Sequence, residues 1–150
     1  SLEDASAMFK RSPERSISAW TTLISGYAHH NDYLSALELL NGMQKEGLKP
    51  NTITYISLIA ACSRIGLIDD GCHYFNAVKE DLSSFPVHEH YNCTIDLFGR
   101  AGFLDEADVI QKTLPFEPDF AACMSLLSHC KVHGDGSLAR QCFHSALLHV

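Results

Sequence analysis

Apolar and polar positions alternate along this chain with the period of a helix, and the pattern then repeats on a longer scale. In Trp20-x-x-Leu23-Ile24-x-x-Tyr27 the apolar side chains fall at i, i+3, i+4 and i+7, one face of a helix. A break at Asn31-Asp32 follows, then a second apolar series, Leu34, Leu37, Leu40 and Met43 with Ala36 among them, and a stop at Gly47 and Pro50. The stretch reads as a helical hairpin. The same phrase returns as Tyr55-x-x-Leu58-Ile59-x-x-Cys62, Tyr91-x-x-Thr94-Ile95-x-x-Phe98 and, more loosely, Cys123-x-x-Leu126-Leu127-x-x-Cys130. The leading residues stand at 20, 55, 91 and 123, so 35, 36 and 32 apart. A small residue of the second helix keeps step at Ala5, Ala36, Gly71, Ala107 and Ala139. Two independent landmarks with one period predict an all-α solenoid of stacked helix-turn-helix hairpins, in which each hairpin supplies the surface its neighbour needs.

In chain order the pattern predicts a lone second helix at 1–10, with Leu2, Ala5, Met8 and Phe9 on one stripe. Hairpins follow at 20–29 with 33–46, 52–64 with 68–81, 89–100 with 104–113, and 120–132 with 137–149. Turns fall at Asn31, Gly66, Gly102 and Gly134, where a helix end wants a left-handed residue. The second hairpin closes near Pro86 and the third at Pro115 and Pro118. Asp32, Asp69-Asp70 and Asp105-Glu106 then open the second helices, where the helix dipole favours acids.

That placement accounts for part of the net charge of −7, which argues against a cationic binder of any nucleic acid regardless of sequence. It leaves open a binder that reads base edges. No apolar run reaches the roughly 18 residues of a membrane helix. The six cysteines form no C-x-x-C pair and several share the core phase, so they read as reduced core residues. His129 and His133 are i, i+4 with Cys130 beside them, which supplies half of a tetrahedral metal site and no second half; His90 with Cys93 supplies less. No metal, cofactor or catalytic residue is expected. A zinc deaminase needs H-x-E and P-C-x-x-C, whereas His88-Glu89-His90 has the wrong order and P-C-x-x-C does not occur.

Two hairpin-repeat families share the Trp/Tyr, Leu, Tyr, Ala spacing. Tetratricopeptide repeats, which bind peptides, keep Gly after W-x-x-L and a constant 34 residues per unit; here Ile24, Ile59, Ile95 and Leu127 stand at that Gly, and the lengths vary. With AACSRIGLIDDG, EHYNCTIDLFGRAGFLDEA and LPFEPD, the chain resembles instead the plant pentatricopeptide repeat proteins of the P, L and S type with a C-terminal E-type extension. On that resemblance 1–16 is the end of an S-type unit, 17–51 a P unit, 52–87 an L unit, 88–119 an S unit and 120–150 an incomplete E-type unit, through LLSHCKVHGD, with Cys123 where that unit usually has Trp.

The resemblance implies a sequence-specific single-stranded RNA-binding module of an organellar RNA-processing factor, one specifying sites of C-to-U editing. The organelle would be the mitochondrion rather than the chloroplast, and a deaminase or other editing factor would dock on the E-type unit. The family reads one base per repeat, with the fifth residue of the first helix and the last residue of the unit. Those pairs are Thr21 with Asn51, resembling an adenine reader, Ile56 with Val87, which offers nothing to a base, and Asn92 with Asp119, resembling a uracil reader. Their alternative roles are solvated helix residues for Thr21 and Asn92, and turn residues for Asn51 and Asp119. Arg64 and Arg100 end two first helices, where the family often has a cation near the RNA backbone and where a cation also suits the helix dipole. The alternative function is a protein-interaction module like that of tetratricopeptide arrays.

Overall fold

Caps and turns divide the chain into its helices. The computed structural model describes residues 1–81, 86–117 and 119–148. Among them are nine helices and no strand: α1 (Leu2–Arg11), α2 (Ile17–His29), α3 (Tyr33–Lys45), α4 (Thr52–Ile65), α5 (Ile68–Glu80), α6 (His88–Arg100), α7 (Leu104–Lys112), α8 (Phe120–His133) and α9 (Gly136–Leu148). Pro118 and His149, which the sequence places at helix boundaries, lie outside the described residues. α2 begins earlier than the apolar pattern does, because the Ser16 hydroxyl caps the amide of Ala19 and so starts the helix one turn before Trp20. The turns follow expectation: Asn31 has φ 60° and Gly66 has φ 79°, the left-handed conformation that ends a helix at low cost for these residue types.

α2 pairs with α3, α4 with α5, α6 with α7 and α8 with α9. The first helices also pack on one another in series, α2 on α4, α4 on α6 and α6 on α8, whereas no two of the second helices α3, α5, α7 and α9 approach each other by their backbones. A row of helices packed closely on one side and splayed on the other curves toward the packed side, so the first helices line the inner surface. The buried side chains are those of the repeated phrase: Trp20, Leu23 and Ile24; Leu58, Ile59 and Cys62; Thr94 and Ile95; Cys123, Leu126, Leu127 and Cys130. Tyr27, Tyr55, Tyr91 and Phe98 are half-buried against them. All six cysteines are free thiols, and Cys62, Cys123, Cys130 and Cys142 are buried.

The core falls into two clusters that meet in α6, whose Leu97 belongs to the first and Ile95 to the second. Of the small second-helix residues, Ala36, Gly71 and Ala107 are buried, and a Cβ on Gly71 would run into Leu97 of the next unit. Three expected core positions are corrected. Met8 and Leu34 are each 73% exposed, and Ala5 is exposed as well. α1 packs on α2 alone, through Phe9 and Leu2, so the rest of its stripe finds no partner. In α3 the buried stripe starts one residue earlier, at Tyr33, whose hydroxyl reaches Asp70 (2.8 Å) and Tyr74 (2.9 Å) of α5 and thereby turns Leu34 outward. Burial, with these hydrogen bonds, pushes the Tyr33 hydroxyl far above its ordinary pKa.

Candidate nucleic-acid interface

The inner row brings residues about 33 positions apart into contact, and these contacts form polar rungs between units. Thr21 on α2 meets Thr54 on α4 through their hydroxyls at 3.1 Å, and Ser25 meets Ser57 at 2.8 Å. Ser63 on α4 donates to Asp96 on α6 at 2.6 Å, and His129 on α8 contacts the other oxygen of Asp96 at 2.8 Å. Hydroxyls, one carboxylate and one imidazole thus bridge successive first helices and fix the register of the stack.

The four residues expected to read bases occupy two kinds of position. Asn51 is the N-cap of α4, where its Oδ1 accepts from the Thr54 amide and from the Thr54 hydroxyl, each at 3.0 Å. Asp119 is the N-cap of α8, where its Oδ1 accepts from the Ala122 amide at 2.7 Å and its Oδ2 lies 4.0 Å from His88 Nδ1. Both are turn residues; the amide nitrogen of Asn51 makes no hydrogen bond among the described residues, and Oδ2 of Asp119 faces His88. Thr21 is no solvated helix residue. It is 6% exposed and joined to the Asn51 cap through Thr54. Asn92 is half-buried on α6 and makes no side-chain hydrogen bond among the described residues. Ile56 is half-buried, and Val87 heads α6 with no side-chain cap, so this pair presents no polar group.

The arginines are committed to the scaffold. Arg64 donates from Nε to Asn31 Oδ1 (3.0 Å) and from Nη2 to the Ala28 carbonyl (2.7 Å), so it satisfies the C-terminus of α2 in the preceding unit and not that of its own helix. Arg100 pairs with Asp96 at 2.8 Å. Of the i, i+4 histidine pair, His129 is bonded to Asp96 and packed where Gly99 leaves room for its ring, and His133 is exposed beside Gly102. His90 accepts from the Val87 amide at 3.0 Å through Nδ1, and burial pushes its pKa down. Among the described residues no three His, Cys, Asp or Glu side chains come together as a metal site, and no helix is long and apolar enough to cross a membrane.

Asp96 is the residue that the sequence analysis missed; a lone Asp on a helix carries no local signal of its partners. Burial would raise its carboxyl, but hydrogen bonds from Ser63 and His129 and the charge of Arg100 hold it below the ordinary carboxylate value. A carboxyl depressed in the folded state stabilises above its unfolded pKa and loses that contribution as pH falls. The contribution of Asp96 should therefore be constant above about pH 4 and be lost in acid, from the ordinary aspartate value of 3.8 downward, as read from the difference in melting temperature between the original protein and Asp96→Asn. Asp96→Asn should lower stability by about 2 kcal/mol at neutral pH and weaken that acid dependence.

A curved stack of helical hairpins with capping residues and polar side chains meeting on its inner row defines a helical-repeat scaffold. Comparison with known proteins specifies which. A model described as the PPR repeat family matches residues 15–64, and a second, described as PPR repeat, matches residues 53–81 and 89–111; together they take in more than half of the chain. The chain belongs to the pentatricopeptide repeat family, and it is of the plant kind. A chloroplastic pentatricopeptide repeat-containing protein of Arabidopsis thaliana is 38% identical over 93% of this chain, and a mitochondrial one is 42% identical over 93%. The chain spans 16% and 22% of their lengths, about a fifth. Of solved structures, the maize pentatricopeptide repeat protein PPR10 in complex with an 18-nt psaJ RNA element superposes with a TM-score of 0.84, covering 99% of this chain and 22% of that one at 21% identity, which establishes the shared fold.

Proposed function

We propose that this chain is a single-stranded RNA-binding module of an organellar pentatricopeptide repeat protein, comprising the end of an S-type unit (1–16), P (17–51), L (52–87) and S (88–119) units and an incomplete E-type unit (120–150). Its task is to specify sites of C-to-U editing, with a deaminase or other editing factor engaged through the E-type unit. The observation that carries this reading is the Thr21–Thr54–Asn51 chain of hydrogen bonds, which joins the two expected reading positions of one unit although 30 residues separate them. Family membership and the RNA bound by PPR10 support it. Relatives labelled chloroplastic and mitochondrial support an organellar setting, and we favour the mitochondrion.

With repeats read from N- to C-terminus along RNA in the 5′ to 3′ direction, the three units select A, any base, then U, at positions −6 to −4 from the edited cytidine. Thr21 with Asn51 reads the first base and Asn92 with Asp119 the third. Arg64 and Arg100 still carry guanidinium N–H groups beyond those used above, and we assign these to the RNA backbone. Reading base edges with side chains requires unstacked, unpaired bases. The intact repeat tract should therefore bind a single strand carrying A-N-U and lose most of that affinity when the complementary strand is annealed. Equal affinity for strand and duplex in a gel-shift titration would remove the RNA-reading function and favour protein docking on the inner face.

A further inference from the structure

Each of the four hairpins has one residue at the head of its second helix, and the middle two depart from the other two. Asp32 caps α3 by accepting from the Ser35 amide at 3.2 Å, and Asp135, immediately before α9, accepts from the Leu138 amide at 3.0 Å. The equivalent residues of the middle hairpins are Leu67 and Phe103, which head α5 and α7 and make no capping hydrogen bond. An apolar residue at that place deprives the first turn of the side-chain acceptor that stabilises a helix start. Both are exposed, by 37% and 47%, so core burial does not account for the exchange. They stand at one mouth of a cleft on the outer face. α5 and α7 do not approach each other by their backbones, and Phe98 of α6 forms the floor between them. The cleft has two parts of about 600 and 450 Å³ that share Phe98 and Glu106, and Val109, 59% exposed, continues its apolar wall along α7.

The rim of the cleft is acidic. Asp69 and Asp70 on α5 and Asp105 and Glu106 on α7 flank the apolar wall, and no Lys or Arg lines it. The ion pairs of the described residues involve none of these four carboxylates, although Asp70 accepts from the Tyr33 hydroxyl. The helix dipole favours acids at such starts, but it gives no reason for the leucine, phenylalanine and valine exposed beside them. Residues 52–119 carry four Lys or Arg against eleven Asp or Glu, so the whole net charge of −7 resides in the two hairpins that form the cleft. We propose that the cleft is a docking site for a lysine- or arginine-bearing amphipathic helix of a partner protein, whose apolar face lies on Phe98, Phe103 and Val109 while its cations meet the four carboxylates. Charge complementarity decides the occupant: an acidic helix meets like charges on both walls, and so does a nucleic acid. The site lies on the side away from the row of first helices, and it stands or falls independently of the RNA-reading function proposed above.

The test uses the full chain and two fluorescent peptides of about 18 residues with leucine at i, i+3, i+4 and i+7, one carrying lysine and the other glutamate at the remaining positions. The lysine peptide should bind about tenfold more tightly than the glutamate peptide, and the difference should shrink as salt rises. Asp105→Lys combined with Glu106→Lys should reverse the order of the two peptides. Glu80→Lys combined with Glu89→Lys makes the same change of net charge outside the cleft and should leave the order as it was. Val109→Ser, at an exposed position, should weaken the lysine peptide about threefold without lowering the melting temperature. That variant decides the matter even where reversing Asp105 and Glu106 loosens the start of α7. Equal effects of the two charge reversals would mean that binding follows overall charge and would overturn the inference. Failure of the lysine peptide to bind, or binding that Val109→Ser leaves unchanged, would overturn it as well.

Discussion

Replacing Trp20 with alanine should cost about 3–5 kcal/mol of the stability of the N-terminal half, the range for truncating a large buried aromatic. The ring is 3% exposed and closes three helices together. It meets Phe9 of α1 edge-on at 4.6 Å, and it occupies the space beside Gly42 of α3, where a Cβ would stand 2.9 Å from its edge. Arg15 lies over both rings, with its guanidinium carbon 5.0 Å from the centre of Phe9 and 5.8 Å from that of Trp20. Because a solenoid is stabilised by neighbour contacts, the damage should stay with α1 to α3 and leave the cluster of α6 to α9 largely intact. Hydrogen exchange should show early opening in residues 2–45 and near-native protection in α8; uniform loss across all helices would show a single cooperative core instead. Trp20→Phe should cost much less, since the indole N–H is buried with no partner among the described residues and its removal relieves an unsatisfied donor.

Asn92→Thr should shift the third base from uracil toward guanine, with a penalty for the wrong base of about 1–3 kcal/mol if hydrogen bonds do the reading, by analogy with edge readout in DNA. The structure makes this a clean exchange. Asn92 is half-buried and makes no side-chain hydrogen bond among the described residues, so the substitution breaks no internal hydrogen bond there, and Asp119 keeps its place because Oδ1 remains tied to the Ala122 amide. Binding of the intact repeat tract to four RNAs that differ at the third base, for both proteins, would measure it. Identical preferences would return Asn92 to an ordinary helix residue and leave the fold untouched.

How much of this was legible in the chain varies with the range of the interaction. Helix existence and order followed from the 3.6-residue spacing of Trp20, Leu23, Ile24 and their recurrences, and the turns from Asn31, Gly66, Gly102 and Gly134, because these are decided within a few residues. The start of α2 was displaced because a polar first turn capped by Ser16 carries no apolar periodicity. Leu34 and Met8 were misplaced because a stripe of apolar residues shows that a helix has a buried face without showing which edge of that face a neighbour covers.

The sequence by itself therefore determined the repeat, its period, the all-α architecture and the positions at which one residue per helix and one per turn recur. Only the tertiary structure decided what those positions touch. Asn51 and Asp119 are helix caps, Thr21 is bonded through Thr54 instead of standing in solvent, and Arg64 closes the helix of the unit before its own. Asp96 gathers Ser63, Arg100 and His129 from two neighbouring units and its own helix. The contacts of Thr21 with Thr54, Arg64 with Ala28, and Asp96 with Ser63 and His129 each span a full repeat, and side-chain hydrogen bonds are made at about 3 Å with defined donors and acceptors, a geometry that periodicity along the chain does not encode.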